Sequence, residues 1–346
     1  MEIQLTQDLV RKESITPNDA GCLKYIEDFL SERAFQSEIL TYGRVKNLWS
    51  VKRNSGPLLV FLGHVDVVPT GPVEQWEHNP FSGFDDGTFI NGRGTGDMKG
   101  GIACFMSALS RVNVDDLNYS VGFLITADEE GPSKDGTVKV VEELMKRNEN
   151  IDYCLIGEPS TLETVGDNIR IGRRGSINIE LEILGKQGHA AYPARVDNPI
   201  HKVVPFLDKL LSEVWDEGNE HFPPTSLQVT NITAGVGAHN VTPNNLNLKF
   251  NLRFSTQITA EKIQEKINLF LTNEGIKHKI SFDVNAEPFY SQPKLFTKIV
   301  NKSIQEIQNF ETTLSCSGGT SDGRFIAKTG CEIVELGPKF ETIHKI

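Results

Sequence analysis

Three short apolar segments of this chain each end at a histidine or a carboxylate. Residues 57–63 lead to His64, residues 121–127 lead to Asp128, and residues 153–157 lead to Glu158. Continuous apolar strands that alternate with helical segments favour an α/β fold, with a mostly parallel or mixed sheet covered by helices on both faces. Ligands of such sheets bind beyond the carboxyl ends of the strands. We therefore expect His64, Glu129, Glu130 and Glu158 to lie in one site.

The pattern changes near residue 175. The following elements are predicted in order: a strand at 176–183, a helix at 198–216, strands at 226–233 and 246–254, a helix at 259–273 and a strand at 278–284. This β-α-β-β-α-β order is typical of a ferredoxin-like α+β unit. We predict a discontinuous catalytic domain (1–174 and 288–346) that carries an inserted domain (175–287). The first domain is expected to hold helices at 3–12, 20–34, 98–112 and 293–308, and a strand at 331–336.

Charge and composition exclude several classes of function. Acidic residues outnumber basic ones by 46 to 35, a net charge of −11, which argues against nucleic acid or an anionic membrane as partner. No apolar run approaches the roughly 20 residues that span a bilayer, and the first residues do not resemble a secretory signal. The 5 cysteines are scattered and odd in number, which suits reduced thiols. The cytoplasm is the predicted location.

His64 and Asp66 lie two residues apart in an extended segment, so their side chains face the same side. We interpret His64 as a metal ligand and Asp66 as the carboxylate that orients its ring. An isolated His-x-Asp is more often a buried histidine beside a capping aspartate, and only the neighbouring motifs favour the metal interpretation.

Asp97 follows three glycines, Gly92, Gly94 and Gly96, in a loop that allows the backbone to approach a ligand closely. Its two carboxylate oxygens could bridge two cations. A nucleotide-phosphate loop is the alternative, and it is disfavoured because Lys99 does not stand in the Gly-Lys-Ser/Thr order.

Glu129 and Glu130 are adjacent, so one can bind a metal while the other meets a water molecule. His344 supplies a second imidazole. Together with Asp66, Asp97 and Glu158, these glutamates would repel one another unless cations neutralise them. Imidazole and carboxylate donors suit Zn²⁺, with Mn²⁺ or Co²⁺ as substitutes. A two-metal site with a free glutamate is typical of amide hydrolysis.

With these residues in place, the chain resembles the co-catalytic zinc aminoacylase/carboxypeptidase-type metallohydrolases over nearly its whole length. The motifs that carry the resemblance are GHVDVVP (63–69), GRGTGDMKG (92–100), DEEG (128–131), GEP (157–159), GRRGS (172–176), QGHAAYP (187–193), SGGTSDGR (317–324) and TIHK (342–345). The last four are most similar to those of members that remove the succinyl group of N-succinyl-LL-2,6-diaminopimelate.

The resemblance implies how the metal site is shared among its ligands. His64 and Glu158 would hold one zinc ion, Glu130 and His344 would hold the other, and Asp97 would bridge them. The fold implied is the two-domain α/β arrangement predicted above.

The resemblance also implies the catalytic groups. Glu129 would act as general base and acid, and Asp66 would support His64. His189, in the inserted lid and dimerisation domain, would reach the active site of the second subunit of a homodimer and stabilise the oxyanion. Without the family, His189 would be interpreted as a surface histidine. A cis peptide is implied between Asp97 and Met98.

Residues that contact the substrate are implied by the same comparison: Arg173, Arg253, Asn240, Gly319 and Thr320. Arginine suits this role because the substrate carries several carboxylates, which a guanidinium binds in bidentate fashion. Arg174 could exchange roles with Arg173, and an exposed charge on a strand is the alternative for Arg253.

The implied reaction is hydrolysis of N-succinyl-LL-2,6-diaminopimelate to LL-2,6-diaminopimelate and succinate, in lysine and diaminopimelate biosynthesis. Alternatives are another N-acyl amino acid deacylase, such as an acetylornithine deacetylase, a carboxypeptidase, or an inactive protein that binds an acidic ligand. Family members continue beyond the motif at 342–345, so the sequence is expected to be incomplete. Cys316 is interpreted as an incidental small buried residue.

Overall fold

The computed structural model describes residues 1–345 and shows two compact units. The first comprises Met1–Gly172, Tyr290–Ser315 and Ser321–Ile346, and the second comprises Arg173–Phe289 and Cys316–Thr320. All of 288–346 was predicted to belong to the catalytic domain, whereas the short segment Cys316–Thr320 groups with the second unit. One reason is a contact within that unit, in which Arg173 Nη1 donates a hydrogen bond to the carbonyl oxygen of Gly319 at 3.3 Å.

Residues 1–345 contain the following elements. The helices are α1 (Glu2–Val10), α2 (Cys22–Ser31), α3 (Gly100–Ser110), α4 (Thr137–Lys146), α5 (Pro199–Ser212), α6 (Ala260–Asn273), α7 (Leu295–Gln308) and α8 (Gly323–Ile326). The strands are β1 (Gln36–Tyr42), β2 (Val45–Lys52), β3 (Leu58–His64), β4 (Phe84–Asp85), β5 (Ile90–Asn91), β6 (Ser120–Thr126), β7 (Tyr153–Ile156), β8 (Asn168–Arg170), β9 (Gly172–Arg173), β10 (Gly175–Leu184), β11 (Gly188–His189), β12 (Ser226–Ala234), β13 (Val241–Thr242), β14 (Asn245–Phe254), β15 (His278–Ala286), β16 (Phe289–Tyr290), β17 (Thr313–Ser315) and β18 (Glu332–Glu335).

The first unit is built around a mixed eight-stranded sheet with the order β1-β2-β6-β3-β7-β18-β8-β17. Strand β3 runs parallel to both β6 and β7, and β18 runs parallel to β7. Every residue of β6 is buried, as expected for a central strand that is covered on both faces. Because β3, β6 and β7 are parallel, their carboxyl ends meet at one edge of the sheet, where the predicted site residues follow.

Helices α1, α2 and α3 contribute to the apolar core of the first unit. In α2, Leu23, Ile26 and Leu30 are buried because their spacing places them on one face of the helix. Helix α3 approaches the edge of the sheet closely. A Cβ atom at Gly101 would lie 2.5 Å from the carbonyl oxygen of Gly157, so this glycine allows α3 to pack against the backbone beside Glu158.

The second unit contains an antiparallel sheet with the order β12-β14-β10-β15. Burial alternates along β14, and the buried face packs with apolar residues of α5 and α6, which is the pattern of a sheet with one covered face. The observed order β10-α5-β12-β14-α6-β15 confirms the predicted α/β fold with an α+β unit inserted. The short antiparallel pair β11 and β13 was not predicted.

The predicted boundaries differ from the observed ones by a few residues. The helix predicted at 198–216 ends at Ser212, and the strand predicted at 331–336 spans Glu332–Glu335. Within residues 1–345, every helix is too short or too polar to cross a membrane.

Candidate metal centre and active site

His64 is the last residue of β3 and is almost completely buried. Its Nδ1 atom lies 2.9 Å from the carbonyl oxygen of Asp66. A carbonyl oxygen can only accept, so the neutral ring carries its proton on Nδ1 and leaves the Nε2 lone pair available to a metal. Nε2 lies 3.0 Å from Asp97 Oδ1 and 3.4 Å from Glu158 Oε1.

Asp97 faces both imidazoles. While Oδ1 approaches His64, Oδ2 lies 3.8 Å from Nε2 of His344. The peptide between Asp97 and Met98 is cis, as the resemblance implied. Thus the two oxygens of one carboxylate are directed at different rings, which is the arrangement that a bridging ligand requires.

His344 contacts a second carboxylate. Its Nε2 atom lies 3.0 Å from Glu130 Oε1, and its ring is 49% exposed. Donor atoms also cluster in two groups of three residues, and within each group they all lie within 4.8 Å of one another. One group is His64, Asp97 and Glu130, and the other is His64, Glu129 and Glu158. The structure therefore brings together all seven residues predicted for the metal site, including Asp66.

The position of Asp66 adds a detail that the sequence did not reveal. Its carboxylate was expected to orient His64, but Oδ1 lies 3.6 Å from the ring, and the backbone carbonyl makes the shorter contact. The carboxylate instead accepts hydrogen bonds from the backbone N–H groups of Glu129 and Glu130, at 3.2 and 3.1 Å. Asp66 thus holds both the His64 ring and the turn that carries the two glutamates.

Electrostatics in the cluster are dominated by crowded, buried carboxylates. Burial, followed by the charge of Glu158, raises the pKa of Glu129 well above its usual range. Burial also raises the pKa of Asp66 to about 6. Burial opposes a charge on His64, but hydrogen bonds with Asp97 and Glu158 outweigh this effect and raise its pKa. Such a cluster favours cations, because their charge offsets the repulsion among the carboxylates.

The donor set fits two divalent metal ions. Each imidazole Nε2 has one carboxylate oxygen at 3.0 Å, and Asp97 reaches both rings. Nitrogen and oxygen donors in this mixture suit first-row transition ions. A carboxylate oxygen of Glu129 lies within 4.8 Å of donor atoms of both His64 and Glu158.

The predicted substrate-binding residues belong to the second unit. Arg173 is buried, and its Nη1 atom donates the hydrogen bond to the Gly319 carbonyl oxygen. Arg174 Nη1 donates to Ser226 Oγ at 3.3 Å. Burial, followed by the nearby charge of Arg174, lowers the pKa of the Arg253 guanidinium. The structure thus places two cations close together, an arrangement that favours anionic groups.

His189 and Asn240 lie together in the second unit. Strand β11 pairs with β13, so that His189 lies opposite Val241, and the N–H of Ala190 donates to the carbonyl oxygen of Asn240 at 3.0 Å. Both His189 and Asn240 are exposed. Thr320 is partly buried.

Two buried charged residues near the cluster were missed. Arg93 is 5% exposed and Asp322 is 4% exposed. Burial raises the pKa of Asp322, and its charge in turn contributes to the raised pKa of Glu129. Arg93 lies inside the motif at 92–100 and Asp322 inside the motif at 317–324, but the presence of an arginine or aspartate in a motif does not by itself reveal its burial.

Comparison with known proteins identifies the class to which this site belongs. A model of Peptidase family M20/M25/M40 matches residues 60–346, and the chain belongs to that family. Among curated proteins, it is 48% identical to the succinyl-diaminopimelate desuccinylase of Hahella chejuensis, covering 99% of this chain and 90% of that protein. It is also 48% identical to the succinyl-diaminopimelate desuccinylase of Hydrogenovibrio crunogenus, covering 99% of this chain and 92% of that protein.

Solved structures share the fold at lower identity. An M20 family metallo-carboxypeptidase of Sulfolobus solfataricus matches with a TM-score of 0.83 at 18% identity, covering 99% of this chain and 93% of that one. A Bacillus subtilis protein described as a dinuclear metal binding peptidase from the M20 family matches with a TM-score of 0.68 at 15% identity, covering 97% of this chain and 88% of that one.

Proposed function

We propose that this protein hydrolyses N-succinyl-LL-2,6-diaminopimelate to LL-2,6-diaminopimelate and succinate, a step of lysine and diaminopimelate biosynthesis. The substrate is inferred from the curated relatives, which are named succinyl-diaminopimelate desuccinylases and share 45–48% identity with this chain over 99% of its length. The reaction class rests on one structural observation: Asp97 directs its two carboxylate oxygens at two different imidazoles.

Two zinc ions are the proposed cofactors, and cobalt or manganese would substitute for them. His64 and Glu158 would hold one ion, Glu130 and His344 the other, and Asp97 would contact both. When bound, the ions would polarise the scissile carbonyl and lower the pKa of the attacking water.

Glu129 is the proposed proton carrier. Its raised pKa suits a carboxylate that takes a proton from water and then delivers it to the departing amine. Asp66 fixes the backbone of Glu129 through a hydrogen bond and so orients the base toward the water. The hydrogen bond between His64 Nδ1 and the Asp66 carbonyl keeps Nε2 directed at the cluster.

The second unit is proposed to bind the acidic ends of the substrate. Arg173, Arg253, Asn240, Gly319 and Thr320 are the proposed contacts. The paired charges of Arg174 and Arg253 support this assignment, because both guanidiniums are partly buried and burial lowers both pKa values. An anion that joined them would compensate for the lost hydration.

A homodimer formed through the second unit would complete the site. Strand β12 is at one end of its sheet and exposes Ile232, while Val204 and Leu211 of α5 are 60% and 62% exposed. Among residues 1–345, β12 pairs on one side only. An open strand edge and exposed apolar side chains both favour association. His189 of one subunit would then stabilise the oxyanion in the active site of the other. We place this assembly in the cytoplasm, in keeping with the free cysteines.

Substrate preference tests the proposal. Zinc-reconstituted protein should hydrolyse N-succinyl-LL-2,6-diaminopimelate with a higher kcat/KM than N-acetylornithine or a dipeptide. Faster turnover of N-acetylornithine would favour the deacetylase alternative. Tight binding of the succinyl substrate without any hydrolysis by the zinc-loaded protein would favour an inactive binding protein.

A further inference from the structure

Arg93 contacts the segment that carries His344. The Nη1 atom of Arg93 donates a hydrogen bond to the carbonyl oxygen of Lys345 at 3.2 Å, across 252 positions of the chain. The guanidinium also lies over the ring of Trp76, 5.1 Å from its centroid. Arg93 is 5% exposed and contacts both an aromatic ring and the backbone of the residue that follows His344.

The His344 ring depends on its backbone for position. The ring is 49% exposed, and its Nε2 atom faces the carboxylates of Glu130 and Asp97. The backbone φ of His344 is +59°, a conformation that few non-glycine residues adopt. A half-exposed ring gains little from packing, so contacts to the neighbouring backbone decide where its Nε2 atom lies.

The charge of Arg93 faces the same two carboxylates. Burial lowers the pKa of its guanidinium, and the charges of Glu130 and Asp97 oppose that shift. The Nε atom of Arg93 is buried and has no hydrogen-bond partner among the described residues. Arg93 therefore keeps a fixed positive charge close to two proposed metal ligands without occupying a ligand position.

We propose that Arg93 is a positioning residue for His344, and that through the Lys345 carbonyl it sets the affinity of the metal ion that His344 would bind. The inference rests on the proposed two-metal site and extends it to a residue outside the ligand set. Arg93 touches neither metal nor substrate in this account. It holds the turn at 344–345 so that the imidazole approaches Glu130 and Asp97.

Calorimetric titration of metal-free protein with Zn²⁺ tests this role without measuring activity. R93M is expected to bind the first zinc ion as wild type does and the second about 10- to 100-fold more weakly, the range found when a residue that supports a ligand is lost. R93K keeps a charge and a donor and should recover part of that affinity. R11M is the matched control, because Arg11 Nε also donates to a distant carbonyl, that of Ser82, at 3.2 Å.

The H344A background separates positioning from a general structural effect. If Arg93 acts through His344, R93M should not change the zinc affinities of H344A further. Equal weakening of both ions by R93M, or wild-type affinities in R93M, would overturn the proposal. If thermal unfolding shows that R93M does not fold, R93K carries the test, and wild-type affinity of R93K for both ions would then contradict the role. A wild-type protein that binds a single zinc ion would instead refute the two-metal site itself.

Discussion

The carboxylate of Asp66 accepts a hydrogen bond from the backbone N–H of Glu129 at 3.2 Å. The same carboxylate also accepts the N–H of Glu130, while the Asp66 carbonyl holds the ring of His64. Asp66, two residues beyond the end of β3, thus connects a proposed metal ligand on that strand with the proposed base and another proposed ligand on the turn after β6.

Replacing Asp66 by asparagine should disturb this connection. An amide has one acceptor oxygen, so one of the two N–H groups would face an NH₂ donor and lose its partner. Zinc affinity is expected to fall about 10- to 100-fold, together with kcat, as measured by calorimetry and by initial rates. D66N with both properties unchanged would show that the carboxylate does not hold the turn.

Replacing Glu129 by glutamine should remove the proton carrier and leave the metal ligands in place. We expect kcat to fall about 10²- to 10⁴-fold, with two zinc ions still bound by elemental analysis. E142Q is a suitable control, because Glu142 is an exposed glutamate that pairs with Lys139. Hydrolysis at the wild-type rate in E129Q would refute the proposed mechanism.

Arg253 should act on substrate binding more than on the chemical step. R253Q removes a cation that is proposed to meet a substrate carboxylate, and a hydrogen bond to a charged group contributes about 1.5–3 kcal/mol. An increase in KM of about 10- to 100-fold is therefore expected in steady-state kinetics, with a smaller change in kcat. A decrease in kcat at constant KM would place Arg253 elsewhere in the mechanism.

Sequence patterns identified the site because its geometry follows from strand ends. His64 and Glu158 terminate or follow apolar strands, and parallel pairing brings such ends together. The order of elements in the second unit could also be predicted from the sequence. Burial alternates along β10 and β14, and such strands have alternating apolar and polar residues.

What the sequence did not reveal depends on contacts between distant backbone groups. The hydrogen bond from Arg93 to the Lys345 carbonyl involves no side chain of Lys345, so no residue type signals it. The contact of the His64 ring with the Asp66 carbonyl likewise uses a backbone group, which no residue type signals. The pair β11 and β13 has two residues in each strand, too few to produce a periodic pattern.

Glu332 offers a prediction about stability that is independent of the metal site. Its carboxylate accepts the backbone N–H groups of Lys294, Phe296 and Thr297 at 2.7, 3.0 and 2.9 Å, at the start of α7. Burial alone would raise the pKa of Glu332, but these hydrogen bonds lower it. E332Q should lower the free energy of unfolding at pH 7 by about 1–3 kcal/mol.

The pH dependence of that difference has a defined sign. Because folding lowers the pKa of Glu332, its stabilisation is fully present above the unfolded value of about 4.3 and is lost as the pH falls through the folded value. Denaturant unfolding of wild type and E332Q should therefore converge as the pH falls below about 4. E306Q is the control, because Glu306 is an exposed glutamate on α7. A difference that grows in acid would contradict the assignment.

The zinc dependence of succinyl hydrolysis is the most direct test of the account. Metal-free protein should not hydrolyse N-succinyl-LL-2,6-diaminopimelate, and activity should rise with added Zn²⁺ to a maximum at two bound ions per chain, with both quantities measured on one sample. Full activity after chelation, or no hydrolysis with two zinc ions bound, would contradict it.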